Sequence, residues 1–286
     1  MARLADEQVP GPGAGEVLLA DNLDVLLGLP DQCIDLVYID PPFGTGAVRQ
    51  LNSIRTGRGK GLRRGFGGRE YQFEVVSQHR FRDDRLLADH LAFLRPRLME
   101  IHRTLRPEGS LYLHLDFRTT HHVRLLLDQI FGADHFLNEI IWAYDFGGRP
   151  RDRWPRKHDT ILWYAKSGDW TFELAEIDRI PYLAPGLVGP EKAARGKLPT
   201  DTWWQTIVPT NSRERTGYPT QKPLALLERI VRASSRKGEL VADFFCGSGT
   251  TGVAARALGR RYLLVDDNPD AVEITRRRLG LGPGTG

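Results

Sequence analysis

Asp40, Pro41, Pro42 and Phe43 end the apolar run Ile34-Asp35-Leu36-Val37-Tyr38-Ile39 with a carboxylate, two rigid rings and an aromatic. Each proline fixes φ and removes a backbone N–H, and Pro41 also pushes Asp40 towards extended geometry. The result is a stiff ledge that offers acceptors, the Asp40 carboxylate and backbone carbonyls, beside a flat hydrophobic face. Such acceptors suit a planar amino group, for example the exocyclic NH2 of a nucleobase whose ring stacks on an aromatic. Asp-Pro-Pro is equally a good turn after a strand, so a second motif has to decide.

That motif is Asp243-Phe244-Phe245-Cys246-Gly247-Ser248-Gly249-Thr250-Thr251-Gly252, which follows an apolar run and opens a helical one. Glycines let backbone approach a ligand closely, and a helix N-terminus supplies free N–H groups. Asp266-Asp267-Asn268, after the next apolar run, places carboxylates where ribose hydroxyls could be held. Gly247, Gly249 and Gly252 also satisfy the spacing of a dinucleotide loop, so a nicotinamide cofactor is one reading. Against it, the acidic residue comes only about 14 residues after Gly252, and a single further strand follows. A purely structural glycine turn is the third reading.

Periodicity predicts the elements that carry these motifs. Strands are expected over residues 16–20, 34–39, 111–115, 139–144, 160–165, 240–244 and 262–265. Helices are expected over residues 22–29, 86–105, 119–131, 223–234, 250–258 and 269–279, with Pro96 kinking the second or starting another. Strands alternating with helices imply a doubly wound, mostly parallel, seven-stranded α/β sheet. Residues 1–15 read as a disordered lead-in, 44–82 as a basic loop with little periodicity, 168–217 as irregular and 281–286 as a tail. That leaves one domain in two halves, 16–167 bearing Asp40 and 218–280 bearing the glycine loop, within the size range of a single large domain. No apolar stretch approaches the roughly 18 residues of a membrane span. Cys33 and Cys246 lack His or Cys partners at ligand spacing, which suggests a reduced, cytoplasmic protein without structural zinc.

Order along the chain is informative. If Gly286 were joined to Met1, the glycine loop would come first, then Asp266, Asp21-Asn22 and Asp40-Pro41-Pro42-Phe43. A sheet closed that way sets the two motif-bearing strands side by side, with both loops at carboxyl ends, where open α/β sheets bind ligands. Adjacent termini make such a circular permutation tolerable.

In these motifs and this order the chain resembles the beta-class S-adenosylmethionine-dependent DNA amino-methyltransferases of prokaryotic restriction-modification systems. The likeness runs from about residue 16 to 279 and includes Glu214-Arg215-Thr216-Gly217-Tyr218-Pro219-Thr220-Gln221-Lys222-Pro223-Leu224. It implies a Rossmann-like methyltransferase sheet, circularly permuted, with a small target-recognition region over residues 168–217. It implies that Asp243, Phe245, Gly247 and Gly249 line the methionine part of S-adenosylmethionine, with Asp40 at the reacting end. Asp266 would bind ribose hydroxyls, Asp21 the adenine amino group, and Thr220, Lys222 and Pro223 the cofactor's flank. Phe244 departs from the family's usual proline.

The implied reaction is methyl transfer to an exocyclic nitrogen of a flipped base, leaving S-adenosylhomocysteine, with no metal and no cysteine nucleophile. Asp40 and the Pro41 carbonyl would accept the amine hydrogens, Pro42 would stiffen the ledge, and Phe43 would stack on the base. In the family, aspartate at this position goes more often with adenine N6, so adenine is expected, with cytosine N4 the alternative. An RNA or protein methyltransferase would normally carry the glycine loop first. A DNA-binding protein with a relic cofactor fold is the reading from a different class.

The partner implied is double-stranded DNA; the resemblance adds a homodimer and a cognate restriction endonuclease as partners to consider, and no membrane. Arg49, Arg55, Arg58, Lys60, Arg63, Arg64 and Arg69 lie among glycines with no acidic residue between them, a composition that suits phosphates. A second cluster, Arg149, Arg151, Arg153, Arg156 and Lys157, surrounds Trp154 in a hairpin-like connection, where the tryptophan either enters a groove or caps the core. Trp203-Trp204 read as an apolar anchor near the cofactor flank. If the first cluster neutralises about five phosphates, log affinity for DNA falls with slope near −4.5 in log salt. Doubling the salt is then expected to weaken binding roughly twentyfold in a fluorescence titration, and a flat response would remove this cluster as a phosphate clamp.

Overall fold

Strand β2 (Ile34–Ile39) is buried on both faces, with Val37 and Ile39 directed to one side and Leu36 and Tyr38 to the other. A strand covered on both sides reads as a continuous apolar run, which is the sequence seen here. The computed structural model describes residues 15–42, 47–64, 70–83 and 87–282, with the backbone alone for 47–64 and 70–83. The expected lead-in falls almost wholly outside the described residues, as does most of the tail.

Around β2 the chain forms β1 (Gly15–Leu19), β5 (Leu105–Leu115), β6 (Phe136–Ala143), β7 (His158–Ala165), β8 (Thr202–Trp204), β9 (Leu240–Asp243) and β10 (Arg261–Asp266). Their order is β1-β10-β9-β2-β5-β7-β6-β8. β1, β10, β9, β2 and β5 run parallel, while β7 is antiparallel to both β5 and β6. The seven expected strands are all present. β8 is an eighth, a three-residue strand beside β6 that is too short to show a period. The proposed closure is also present: β9 lies beside β2, pairing Leu36 with Val241 and Val37 with Ala242, and β10 lies between β9 and β1.

Helices cover both faces. α1 (Asn22–Gly28), α2 (Leu87–Thr104) and α3 (Thr120–Phe131) bring Leu26, Leu94, Leu98 and Leu127 to the face of Val37 and Ile39. A six-residue helix, α4 (Pro190–Arg195), lies in the irregular stretch. α5 (Leu224–Ser234), α6 (Thr250–Ala257) and α7 (Pro269–Arg278) bring Leu226, Ile230, Ala254 and Val272 to the face of Leu36 and Tyr38. α2 runs continuously through Pro96. Pro96 leaves the Ala92 carbonyl without its helical N–H, and the Arg97 guanidinium folds back along the helix to donate to the Phe93 carbonyl at 2.9 Å.

The stretch expected as a basic loop takes a different form. Its backbone makes an antiparallel hairpin, β3 (Ala47–Arg64) with β4 (Glu70–Asp83), paired from Ala47 with Asp83 to Arg64 with Glu70. The alternation Tyr71, Phe73, Val75 carries that signal, and the strand-weakening glycines at 57, 59 and 61 obscure it. The hairpin belongs to a separate unit, Pro42–His90.

Leu36 is fully buried beside the strand pairing that closes the sheet. Leu36→Ala is expected to lower unfolding free energy by about 2–5 kcal/mol in urea titration, from lost burial and the cavity left behind.

Candidate active site

Parallel pairing sends the ends of β1, β10, β9 and β2 out of one edge of the sheet, in registers that match Leu19 with Asp266 and Leu264 with Asp243. Four carboxylates follow or end those strands: Asp21, Asp266, Asp243 and Asp40. They are distant in sequence, and strand order alone brings them to one edge.

The glycine loop between β9 and α6 is built for close approach. Gly247 (φ 51°) and Gly249 (φ 73°) are left-handed, a conformation that costs glycine nothing. A Cβ on Gly249 would lie 2.5 Å from Thr275, and one on Gly247 would lie 3.0 Å from the Tyr218 ring. Two carboxylates shape the loop. Asp266 accepts the Gly247 N–H at 2.8 Å and the Asn268 N–H at 3.0 Å. Asp243 accepts the Phe245 N–H at 3.0 Å and the Thr251 hydroxyl at 2.5 Å. Burial pushes the Asp243 carboxyl up to about 7, against those two hydrogen bonds and reinforced by the charges of Asp40 and Asp266. Burial likewise raises Asp266. The loop thus gathers carboxyls whose ionised forms are disfavoured by burial and would be favoured beside a cation. Phe244, the departure from proline, is buried in the core, and its carbonyl accepts the Asn22 side-chain amide at 2.7 Å.

Asp40 meets the other half of the edge. Its Oδ2 accepts the ammonium of Lys222, while its buried Oδ1 has no hydrogen-bond partner among the described residues. Pro41 is buried, Pro42 exposed, and Phe43 lies outside the described residues. The Lys222 backbone carbonyl accepts the Thr250 hydroxyl at 3.2 Å, at the first residue of α6. Thr220, two residues earlier, has φ 56°, a left-handed conformation strained for a β-branched residue. Pro223 caps α5. The segment is braced from within: Gln221 accepts the Thr216 N–H at 2.9 Å and donates to the Glu214 carbonyl at 2.7 Å.

Asp21 N-caps α1, accepting the Leu23 N–H at 2.8 Å, and pairs with Arg97 at 3.1 Å. Arg97 was not singled out from sequence. It is buried, donates to Asn22 Oδ1 at 2.6 Å, and lies 3.7 Å from the centroid of the Phe93 ring, which itself sits 6.1 Å from that of Phe245. A cation between the core residues Leu94 and Leu98 was the available signal. Tyr218, whose ring faces Gly247, was also missed.

A second missed set lies behind Asp40. The Tyr38 hydroxyl and His114 Nδ1 share a hydrogen bond at 3.0 Å, and His114 Nε2 lies 3.3 Å from the Asp159 carboxylate, to which it donates. Burial works against the Asp159 charge, yet hydrogen bonds from His114 and Tyr144 and the charge of Lys222 hold its carboxyl below the usual range. Only the spacing of three separate strands joins these side chains.

The basic clusters divide. Arg49, Arg55, Arg58, Lys60, Arg63 and Arg64 all lie on β3, where the backbone alone is described, and Arg69 lies outside the described residues. Arg149, Arg151 and Arg153 are exposed on the connection between β6 and β7. Trp154 beside them is 92% exposed, so it does not cap the core. Trp203 is a buried anchor packed with α5, whereas Trp204 is exposed, so only one of the pair fits the expected role.

Residues 34–277 match a family model described as DNA methylase. The chain is 29% identical over 266 residues to the type II methyltransferase M.HpaI of Haemophilus parainfluenzae, covering 92% of this chain and 73% of that one. It is 27% identical over 283 residues to the DNA adenine methyltransferase YhdJ of Escherichia coli K12, covering 94% and 84%. Among solved structures, the cytosine-N4-specific PvuII DNA methyltransferase superposes with TM-score 0.65 at 16% identity, covering 94% and 89%. TTHA0409 of Thermus thermophilus, complexed with S-adenosyl-L-methionine, superposes with TM-score 0.59 at 21% identity, covering 93% of each chain. These two likenesses show the fold.

A carboxyl raised in the folded state favours its protonated form, so folding loses stability as pH climbs from 3.8 to about 7 and loses no more above that. Asp243→Asn is therefore expected to be more stable than the parent at pH 8, by about 1–4 kcal/mol, with the advantage shrinking towards pH 4. Urea titrations at the two pH values check it; equal advantages would refute the buried charge.

Proposed function

The chain belongs to the DNA methylase family, and from that premise we propose that it methylates N6 of adenine in double-stranded DNA, using S-adenosylmethionine. It is a DNA methyltransferase of the N6-adenine/N4-cytosine type. The observation that carries the proposal is the unpartnered, buried Oδ1 of Asp40, on the strand beside the glycine loop. A buried acceptor left without a donor is costly, and an exocyclic amine would supply one. Adenine is favoured over cytosine by the aspartate at position 40 and by the relative named as a DNA adenine methyltransferase.

The residues present fit the cofactor. Asp243 and Asp266 set negative charge beside a glycine loop open to close approach, matching a ligand with an ammonium and a sulfonium. Gly247, Gly249 and Phe245 would line its methionine part, Asp266 and Asp267 its ribose, and Asp21 its adenine, with Thr220, Lys222 and Pro223 on the flank. When bound, the cofactor supplies a methyl group on a positively charged sulfur. The chain's own residues then prepare the nucleophile. An exocyclic amine conjugated with its ring is a poor one. By accepting its two hydrogens, Asp40 Oδ1 and the Pro41 carbonyl free the lone pair, and Phe43 would hold the flipped ring. Acceptors fixed beforehand by Pro41 and Pro42 do not reorganise during the reaction, which is where such sites gain most rate.

The exposed arginines at 149, 151 and 153, with Trp154, suit the DNA backbone, as does the basic composition of residues 49–64. Residues 168–217 are the proposed target-recognition region.

Incubation of the protein with unmethylated genomic DNA and S-adenosylmethionine, followed by mass spectrometry of nucleosides, is expected to give N6-methyladenine. N4-methylcytosine would move the target to cytosine, and neither product would refute the reading. Asp40→Ala is expected to retain cofactor binding by calorimetry while losing methylation by about a hundredfold or more. Because Asp243 is charged only above about 7, cofactor affinity is expected to fall up to tenfold per unit as pH drops below that value. Affinity independent of pH between 5 and 8 would remove Asp243 as the ammonium's partner.

A further inference from the structure

The connection between β6 and β7 opens from the edge of the sheet that holds Asp40. Parallel pairing matches Ile39 with Leu113, and antiparallel pairing matches Leu115 with Thr160 and Ala143 with His158. The end of β2, the end of β5 and both ends of the connection therefore share one side. β7 is two strands from β2, which is about 10 Å, and a major groove is about 12 Å wide, so one duplex can touch both. Side chains join them as well. Tyr144, at the root of the connection, donates to Asp159 at 3.0 Å, Asp159 feels the Lys222 charge, and Lys222 pairs with Asp40.

That root is pinned. The Tyr144 N–H donates to the Lys157 carbonyl at 2.8 Å, and the Lys157 ammonium donates to the Gly147 carbonyl at 2.9 Å. The Arg156 guanidinium lies 3.8 Å from the centroid of the Phe117 ring, just past the end of β5. Beyond the root stands Trp154, 92% exposed, its backbone kept extended by Pro155. Residues 145–157 carry five cations, Arg149, Arg151, Arg153, Arg156 and Lys157, against two carboxylates, Asp145 and Asp152. That excess selects a polyanion, and phosphates account for the arginines. They do not account for an indole, which has no charge and a single donor. A polyanion that also presents flat apolar rings is a nucleic acid. In a duplex those rings are open to a side chain only where the stack is broken, and methylation of a flipped base breaks it.

We propose that Trp154 is a wedge that enters the duplex at the target site and stacks in the gap left by the flipped base, while Arg149, Arg151 and Arg153 hold the phosphates around it. The inference rests on the functional reading above and adds the residue that keeps the opened duplex open. The pinned root and Pro155 limit the freedom the connection loses on insertion, so more of the stacking goes to holding the base out. Because the gap forms only at the target, the tryptophan adds affinity there and little along other DNA. It therefore contributes to discrimination as well as to binding.

With the methylated site mapped by sequencing DNA treated with the protein, two labelled duplexes are compared by fluorescence anisotropy in the presence of S-adenosylhomocysteine. One carries the site, and the other has the same bases scrambled. Trp154→Ala is expected to bind the site duplex about tenfold more weakly and the scrambled duplex less than twofold more weakly, with its salt slope unchanged. Trp154→Phe, which keeps a ring to stack, is expected to recover most of the loss. Replacing Arg149, Arg151 and Arg153 together by alanine is expected to weaken both duplexes and to flatten the salt slope by up to about 2.7. Equal losses on the two duplexes in Trp154→Ala, a loss that phenylalanine leaves unrepaired, or a salt slope untouched by the arginine variant overturns the proposal. If the parent methylates no DNA, the functional reading fails and the wedge with it. Methylation by the parent, with Trp154→Ala binding the site duplex as tightly as the parent does, sinks the wedge alone.

Discussion

The parallel pairing of β2 with β9 is the constraint on which the rest depends. Asp40 and Asp243 are separated by most of the chain, and only two matched pairs, Leu36 with Val241 and Val37 with Ala242, set their strands side by side. A further tie comes from the Asp35 side chain, which accepts the Leu240 N–H at 2.7 Å across the same join. Because side chains alternate faces along a strand, a slip of one residue would turn Val37 and Leu36 to the wrong layers of the core. Burial on both faces makes that slip prohibitive, so the core itself sets the alignment of the two loops.

What the alignment produces is an accumulation of negative charge at one edge of the sheet. Asp243 and Asp266 are buried enough for their protonated forms to gain, with the charges of Asp40 and Asp266 raising Asp243 further and that of Asp267 raising Asp266. Such an arrangement works against folding. The ammonium and sulfonium of the proposed cofactor would offset that cost, so under the proposed function stability and binding pull in opposite directions at these positions. Lys222, Arg97 and the N–H groups of the glycine loop partly offset the charge in the protein alone.

The segment before α5 joins the two halves by a different route. Its conformation is held by Gln221 and Glu214, strained at Thr220, and ended by Pro223, whose fixed φ suits the start of a helix. Within it Lys222 is the residue whose backbone and side chain face different halves. The resemblance implied a place on the cofactor's flank and left the direction of its ammonium undetermined.

The sequence alone determined the alternation of strands and helices, the permuted order of motifs and the acidic residues that close or follow the central strands. Those signals are local: apolar period, Gly and Pro punctuation, and short motifs whose spacing matters more than their surroundings. It concealed the hairpin from Ala47 to Asp83, because glycines broke an alternation that backbone pairing restores, and β8, which is too short to have a period. Only the tertiary structure decided that Lys222 holds Asp40, that Arg97 steadies Asp21, and that Tyr38, His114 and Asp159 form one chain behind them. Each of those contacts joins residues from different elements. Their meeting depends on strand order and register, which are set by burial across the whole sheet and by no stretch of sequence near them.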